Sequence, residues 1–173
     1  MFNSAFDHLT ENRENFYPEA LHDEVDKVNK RVYDFINNGV YLAGFATSQP
    51  AYEKAFVELF DALDWVESRL TKQRYLTGDQ ITEADWRLFT TLLRFDVVYY
   101  SHFKCNRQRI DDFPAISSYL RELYQYPGIA DTINFDHIKR HYFGSHKTLN
   151  PMGIAPVGPE LGLPMSHQRN VIN

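Results

Sequence analysis

The stretch Tyr75-Leu76-Thr77-Gly78-Asp79-Gln80-Ile81-Thr82-Glu83-Ala84-Asp85-Trp86 decides the fold. Gly78-Asp79 marks a turn. Thr82 then has the side chain of an N-cap, which serves the orphan amides of a first helical turn. Asp85 stands three residues later, where its carboxylate can return a hydrogen bond to the Thr82 backbone, a variant of the capping box. Ile81 just outside and Trp86 at the fourth helical position match a hydrophobic staple. Beyond it Trp86, Phe89, Leu92, Leu93 and Phe95 step by threes and fours, the buried side of a helix that should continue to about Tyr99.

The flanking segments repeat that logic. Pro18 suits a first helical position, and Leu21, Val25, Val28, Val32 and Phe35 trace one buried face after it. Asn37-Asn38-Gly39 closes this helix, with Gly39 available for a left-handed cap. A second helix starts near Ser48 and Pro50. It buries Ala55, Phe56, Leu59, Phe60, Leu63, Val66 and Leu70 and turns Glu53, Lys54, Glu58, Asp61, Asp64 and Glu67 to solvent. Phe113-Pro114 opens a helix through Ile116, Tyr119, Leu120, Leu123 and Tyr124, which Pro127-Gly128 ends. After a short turn from Ile129 to Ile133, Asn134 caps a final helix, Phe135 to Tyr142, that stops at Gly144. From Ser145 onward prolines 151, 156, 159 and 164 alternate with glycines 153, 158 and 162, a spacing no helix survives. No strand pattern is convincing, so the class is all-α: a lead-in over residues 1–17, a helical domain over 18–144 and an extended tail over 145–173.

Bulk properties exclude several functions. A net charge of −5 argues against a nucleic-acid partner, whose phosphates need a cationic face. No apolar run reaches membrane-span length, and Met1-Phe2-Asn3-Ser4 has no signal-peptide character. The single cysteine, Cys105, excludes an intramolecular disulfide framework and points by elimination to a reducing, cytoplasmic setting. The 11 tyrosines and 13 phenylalanines suggest an apolar pocket dotted with hydroxyl donors, although an ordinary aromatic core accounts for most of them.

Other chemistry is weighed and set aside. His137 and His141 lie four apart, with His146 beyond, but they lack the glutamate of a zinc-protease helix and read as surface histidines, so no metal is expected. Cys105 reads as an inert small hydrophobe rather than a redox thiol, despite Lys104 and Arg107 nearby.

The Leu76, Gly78, Thr82, Ala84, Asp85 pattern resembles the folding signature of the glutathione-transferase C-terminal domain. Three further segments resemble the glutathionyl-hydroquinone reductases, or xi-class (omega-like) glutathione transferases. These are residues 37–46 (NNGVYLAGFA), 94–106 (RFDVVYYSHFKCN) and 141–154 (HYFGSHKTLNPMGI), and the opening Phe2-Asn3-Ser4-Ala5-Phe6 also fits.

The resemblance implies a two-domain enzyme, of which this chain would be the substrate-side half. The thioredoxin-like domain that binds glutathione and carries a Cys-Pro nucleophile would be absent, leaving the fragment inactive alone. It implies glutathione as cosubstrate, an aromatic glutathionyl conjugate as substrate, and a homodimer formed through the helical domain. It assigns Tyr41, Tyr99 and Tyr142 to the substrate pocket, with Tyr100 a weaker candidate. The rival reading is a stand-alone, non-enzymatic helical interaction module.

Overall fold

The computed structural model describes residues 7–9, 11 and 14–170. The Phe2-Asn3-Ser4-Ala5-Phe6 opening lies outside them. Seven helices carry the described residues: α1 (His22–Val32), α2 (Gly39–Gly44), α3 (Gln49–Leu70), α4 (Glu83–Arg94), α5 (Tyr100–His102), α6 (Pro114–Tyr124) and α7 (Phe135–Ser145). Two π-helical turns, Tyr33–Asn37 and Phe95–Tyr99, join α1 to α2 and α4 to α5. The described residues form no strand, and the fold class is all-α as the periodicity requires.

The capping region of α4 is the centre of the bundle. Thr82 is the N-cap, and the Asp85 carboxylate accepts from the Thr82 N–H at 2.7 Å and the Thr82 hydroxyl at 3.0 Å. It also accepts from the Leu76 N–H at 2.9 Å and the Tyr119 hydroxyl at 2.8 Å. One buried carboxylate therefore ties the turn before α4, the start of α4 and the middle of α6 together. Burial pushes the Asp85 carboxyl above its usual range, and these donors oppose that shift. Gly78, at φ 124° in this turn, holds a backbone shape that disfavours side chains. Phe16 completes the corner: its carbonyl accepts from the Glu83 N–H at 2.7 Å, and its ring meets Trp86 edge-on at 6.1 Å. Trp86 is half-buried rather than part of the buried face, packing edge-on to Phe89 and Tyr126.

Four expectations need correction. Gly39 is no left-handed cap; it opens α2, because the π-helical turn carries the chain on without a break. The extra residue in that turn advances the helical phase, so Ile36 is buried and Phe35 is exposed. Pro18 caps a short 3-10 turn, Glu19–Leu21, one turn ahead of α1. Glu67 is not a solvated charge: its two oxygens accept from the Ala115 and Ile116 amides at 2.8 Å each, capping α6 from α3.

The segment after Ser145 has no helix, and it is pinned down. Leu163 is buried, and Gln125 donates to the Leu163 and Met165 carbonyls at 2.7 Å each. Arg169, only 1% exposed, pairs with Glu122 at 3.1 Å and reaches the carbonyls of Leu70, Gln73, Arg74 and Ala115. Glu122 is shared with Arg74 and with the Tyr75 hydroxyl. Burial, then the hydrogen bond to the Glu122 carboxylate, pushes the Tyr75 phenol up to about 12.

Candidate functional site

Three helical segments bring Tyr41, Tyr99 and Tyr142 together. Tyr41 stands in α2, Tyr99 is the last residue of the Phe95–Tyr99 π-helical turn, and Tyr142 lies in α7. The Tyr142 hydroxyl is 2.6 Å from that of Tyr41 and 2.9 Å from that of Tyr99. The three form one hydrogen-bonded line with Tyr142 in the middle. Tyr99 is 2% exposed, Tyr142 7% and Tyr41 36%, so the line runs from the core to the surface. Tyr100, the neighbour of Tyr99, is outside this hydrogen-bonded line.

Hydrogen bookkeeping orients the line. Three hydroxyls carry three hydrogens, and two bonds between them use two. If Tyr99 donates to Tyr142 and Tyr142 to Tyr41, the remaining hydrogen sits on the exposed Tyr41. The reverse order would leave a donor unpaired on Tyr99, and donation from both ends would leave one unpaired on the buried Tyr142; either costs about 1–3 kcal/mol. The outward order is therefore favoured and presents one phenolic donor at the surface. Burial, then the hydrogen bond to Tyr41, pushes the Tyr142 phenol up to about 12, and burial pushes Tyr99 well above its ordinary value. Both stay protonated, and so able to donate, at neutral pH.

An aromatic floor supports the line. Phe103, fully buried, stacks on Tyr99 at 5.4 Å and lies 5.3 Å from both Tyr41 and Phe45. Gly44 makes this approach possible: a Cβ there would stand 2.3 Å from Cγ of Phe103. At the inner edge, His102 Nε2 meets His146 Nδ1 at 3.1 Å. Phe45, His102, Phe103 and His146 were not singled out as site residues. Their signal was present: each follows a site tyrosine by three or four residues, the spacing of one helix face.

The other candidates do not converge here. Cys105 is fully buried, its thiol pushed up to about 12 by desolvation, and it belongs to the core. His137 is exposed, and among the described residues no group of three or more His, Cys, Asp or Glu is placed to share a metal. A groove of about 680 Å3 between α7 and the tail is lined by Phe135, Lys139, Arg140 and Val157, and by none of the tyrosines. Its cations are engaged: Lys139 donates to the Val157 carbonyl at 2.6 Å and Arg140 pairs with Asp136 at 2.7 Å. No helix among the described residues is long and apolar enough to cross a membrane.

The bundle organised on the buried capping aspartate matches the C-terminal domain of the glutathione S-transferases. The family model described as "Glutathione S-transferase, C-terminal domain" matches residues 49–122. The chain is 54% identical over 171 residues to glutathionyl-hydroquinone reductase YqjG of Escherichia coli, covering 99% of this chain and 52% of that protein. It is 52% identical to glutathionyl-hydroquinone reductase PcpF of Sphingobium chlorophenolicum, covering 95% and 52%. The glutathione-bound structure of the Escherichia coli protein superposes with a TM-score of 0.97, over 99% of this chain and 56% of that one. A xi-class transferase from Natrialba magadii, 47% identical, superposes at 0.95 over 98% and 52%. The chain thus spans about half the length of the curated relatives it matches.

Proposed function

We propose that this chain is the substrate-side domain of a glutathionyl-hydroquinone reductase, and that Tyr41, Tyr99 and Tyr142 form its hydroquinone site, with Tyr41 meeting the ring oxygen and Tyr142 and Tyr99 backing it. The observation that carries the reading is the hydrogen-bonded line of three phenols running from the buried Tyr99 to the exposed Tyr41. A hydroquinone is a flat apolar ring with oxygen at its edge. The exposed Phe45, backed by the buried Phe103, suits the ring, and the Tyr41 hydroxyl suits the oxygen.

The reaction is a transfer between sulfurs. A thiolate attacks the sulfur of the glutathionyl-hydroquinone and forms a mixed disulfide. The carbon–sulfur bond breaks, its electron pair passes into the oxygen-bearing ring, and a proton replaces sulfur on the ring carbon. A second glutathione then attacks the mixed disulfide and leaves as oxidised glutathione. Negative charge rises on the ring oxygens as the bond breaks. A fixed phenolic donor there stabilises that state more than the ground state. The chain of donors behind Tyr41 strengthens the outermost one by polarisation.

The attacking thiolate comes from outside these 173 residues. Cys105 is the only cysteine and is both buried and held protonated. The chain spans about half the length of its relatives, and one of them is solved with glutathione bound, which supports a glutathione-binding half outside this chain and glutathione as the cosubstrate. The setting is the reducing cytoplasm, and the assembly is a homodimer through the helical domain, which light scattering at tens of micromolar would report as twice the chain mass.

Two measurements test the reading. Glutathionyl-hydroquinone titrated into the chain carrying 13C-labelled tyrosine shifts the ring signals of the three tyrosines, and Tyr41→Phe weakens that response. Signals that stay fixed at saturating ligand rule the pocket out. The chain mixed with the conjugate and glutathione yields no oxidised glutathione; turnover above the buffer rate sinks the claim of an external thiol.

A further inference from the structure

The two helical segments joined by Tyr99 and Tyr142 are joined a second time, by imidazoles. His102 follows Tyr99 by three residues and His146 follows Tyr142 by four. Each therefore stands one turn beyond its tyrosine on the same face. The phenols meet at 2.9 Å, and the imidazoles meet through Nε2 and Nδ1 at 3.1 Å, with rings nearly parallel at 13°. His102 is buried between Phe103 and Phe143. His146 lies edge-on to Phe45 and to Tyr142, whose ring is 5.5 Å away. The Tyr142 backbone carbonyl faces the His102 ring as well.

Such a contact holds one hydrogen between two nitrogens. One ring must donate and the other accept, which requires at least one neutral imidazole. When both rings are protonated, the facing nitrogens are both donors and the contact turns repulsive. The charges facing the pair work in the same direction. Lys104, on the loop after α5, faces His102, and His141 on α7 faces His146. Tyr142 itself is faced by Tyr41, Tyr99 and Arg94.

We propose that His102 and His146 are positioning residues for the tyrosine site, a neutral imidazole clamp that fixes α7 against the Phe95–His102 segment and releases Tyr142 in acid. The inference rests on the reading of the three tyrosines as a hydroquinone site. Burial lowers both imidazole values, and Lys104 beside His102 adds to it. A lowered histidine value contributes stability that is complete above the ordinary value of about 6.5 and lost as pH falls below it through the folded value. The clamp is therefore closed at neutral pH and opens on acidification. Opening costs the Tyr41–Tyr142 and Tyr142–Tyr99 bonds together, because Tyr142 is the middle of the line.

The test follows tyrosine 13C and histidine 15N signals of the chain between about pH 8 and about pH 5. The Tyr142 ring signal should move with the same midpoint as the His102 and His146 signals. His146→Gln keeps a hydrogen-bonding side chain that does not titrate. It should leave Tyr142 at its neutral-pH position and abolish the acid transition; His102→Gln should do the same and stands in if the first variant does not fold. Hydroquinone affinity should fall by up to about tenfold per pH unit below the midpoint in the parent chain and stay flat in the variant. A Tyr142 signal indifferent to pH, or an acid transition that persists in both variants, overturns the clamp. Tyrosines that ignore hydroquinone at neutral pH refute the substrate reading instead, while the ligand-free titration still decides the clamp.

Discussion

Replacing Arg169 with Ala removes the anchor of the tail, and the structure gives its size. The side chain is 1% exposed and Glu122 is nearly as buried, so solvent screening does little to weaken the pair. Removing one partner of a buried pair costs about 3–5 kcal/mol. Glu122 keeps Arg74 and the Tyr75 hydroxyl, which places the loss at the low end, about 3 kcal/mol. The four carbonyls that Arg169 serves lose a donor but can turn to water where the tail lifts. For a domain of this length, about 3 kcal/mol corresponds to a fall in Tm of about 6–12 °C. Calorimetry measures the fall, and limited proteolysis between Leu161 and Gln168 reports whether the tail undocks first. Arg169→Lys keeps the charge but not the planar fork, and should lose about half as much. An Arg169→Ala protein within about 1 kcal/mol of the parent, with an equally resistant tail, would refute the account of the tail as anchored.

Three further outcomes follow from the same geometry. Gly44→Ala drives a methyl into the Phe103 ring and should destabilise the chain by about 1–3 kcal/mol in urea unfolding, while shifting the Tyr99 ring signal. Cys105 should resist thiol reagents near neutral pH in the folded chain and react at once in denaturant; rapid labelling of native protein would contradict its burial and its value of about 12. The raised tyrosine values stabilise the fold below the ordinary phenol value near 10, and this contribution is lost as pH rises through about 12. Ultraviolet titration should therefore show the Tyr142 and Tyr99 phenolates appearing after those of the exposed tyrosines, together with alkaline unfolding; an early, reversible ionisation of all 11 would contradict the buried line.

The legible parts of the fold were those with local causes. Ser48 before Pro50 starts α3, Asn134 starts α7, and Thr82 with Asp85 starts α4, because each cap is made within three residues of itself. Failure came where the cause was distant or shifted the period. A π-helical turn inserts one residue without a proline or glycine to announce it, so Phe35 and Ile36 exchanged faces and Gly39 looked like an ending. Glu67 read as one more solvated charge because its partners, the first amides of α6, lie 48 and 49 residues away. Arg169 stood in a proline- and glycine-rich tail where a lone cation normally faces water. The three tyrosines came from resemblance alone. Their spacings in sequence carry no information about meeting, because three separate segments bring them together.

The π-helical turn at Phe95–Tyr99 has a consequence for how this surface tolerates insertion and deletion. It holds one residue more than an α-helical turn, and everything after it is rotated by about 100° relative to a regular helix. With this residue count, Tyr99, His102 and Phe103 face α7 and α2 only in that rotated frame. Deleting a single codon within Phe95–Val98 would remove one 100° step together with the wide turn, so a regular helix would form with all three side chains still facing α7 and α2. A lineage could therefore gain or lose one residue here while the surface beyond the turn keeps its orientation, which a regular helix does not permit.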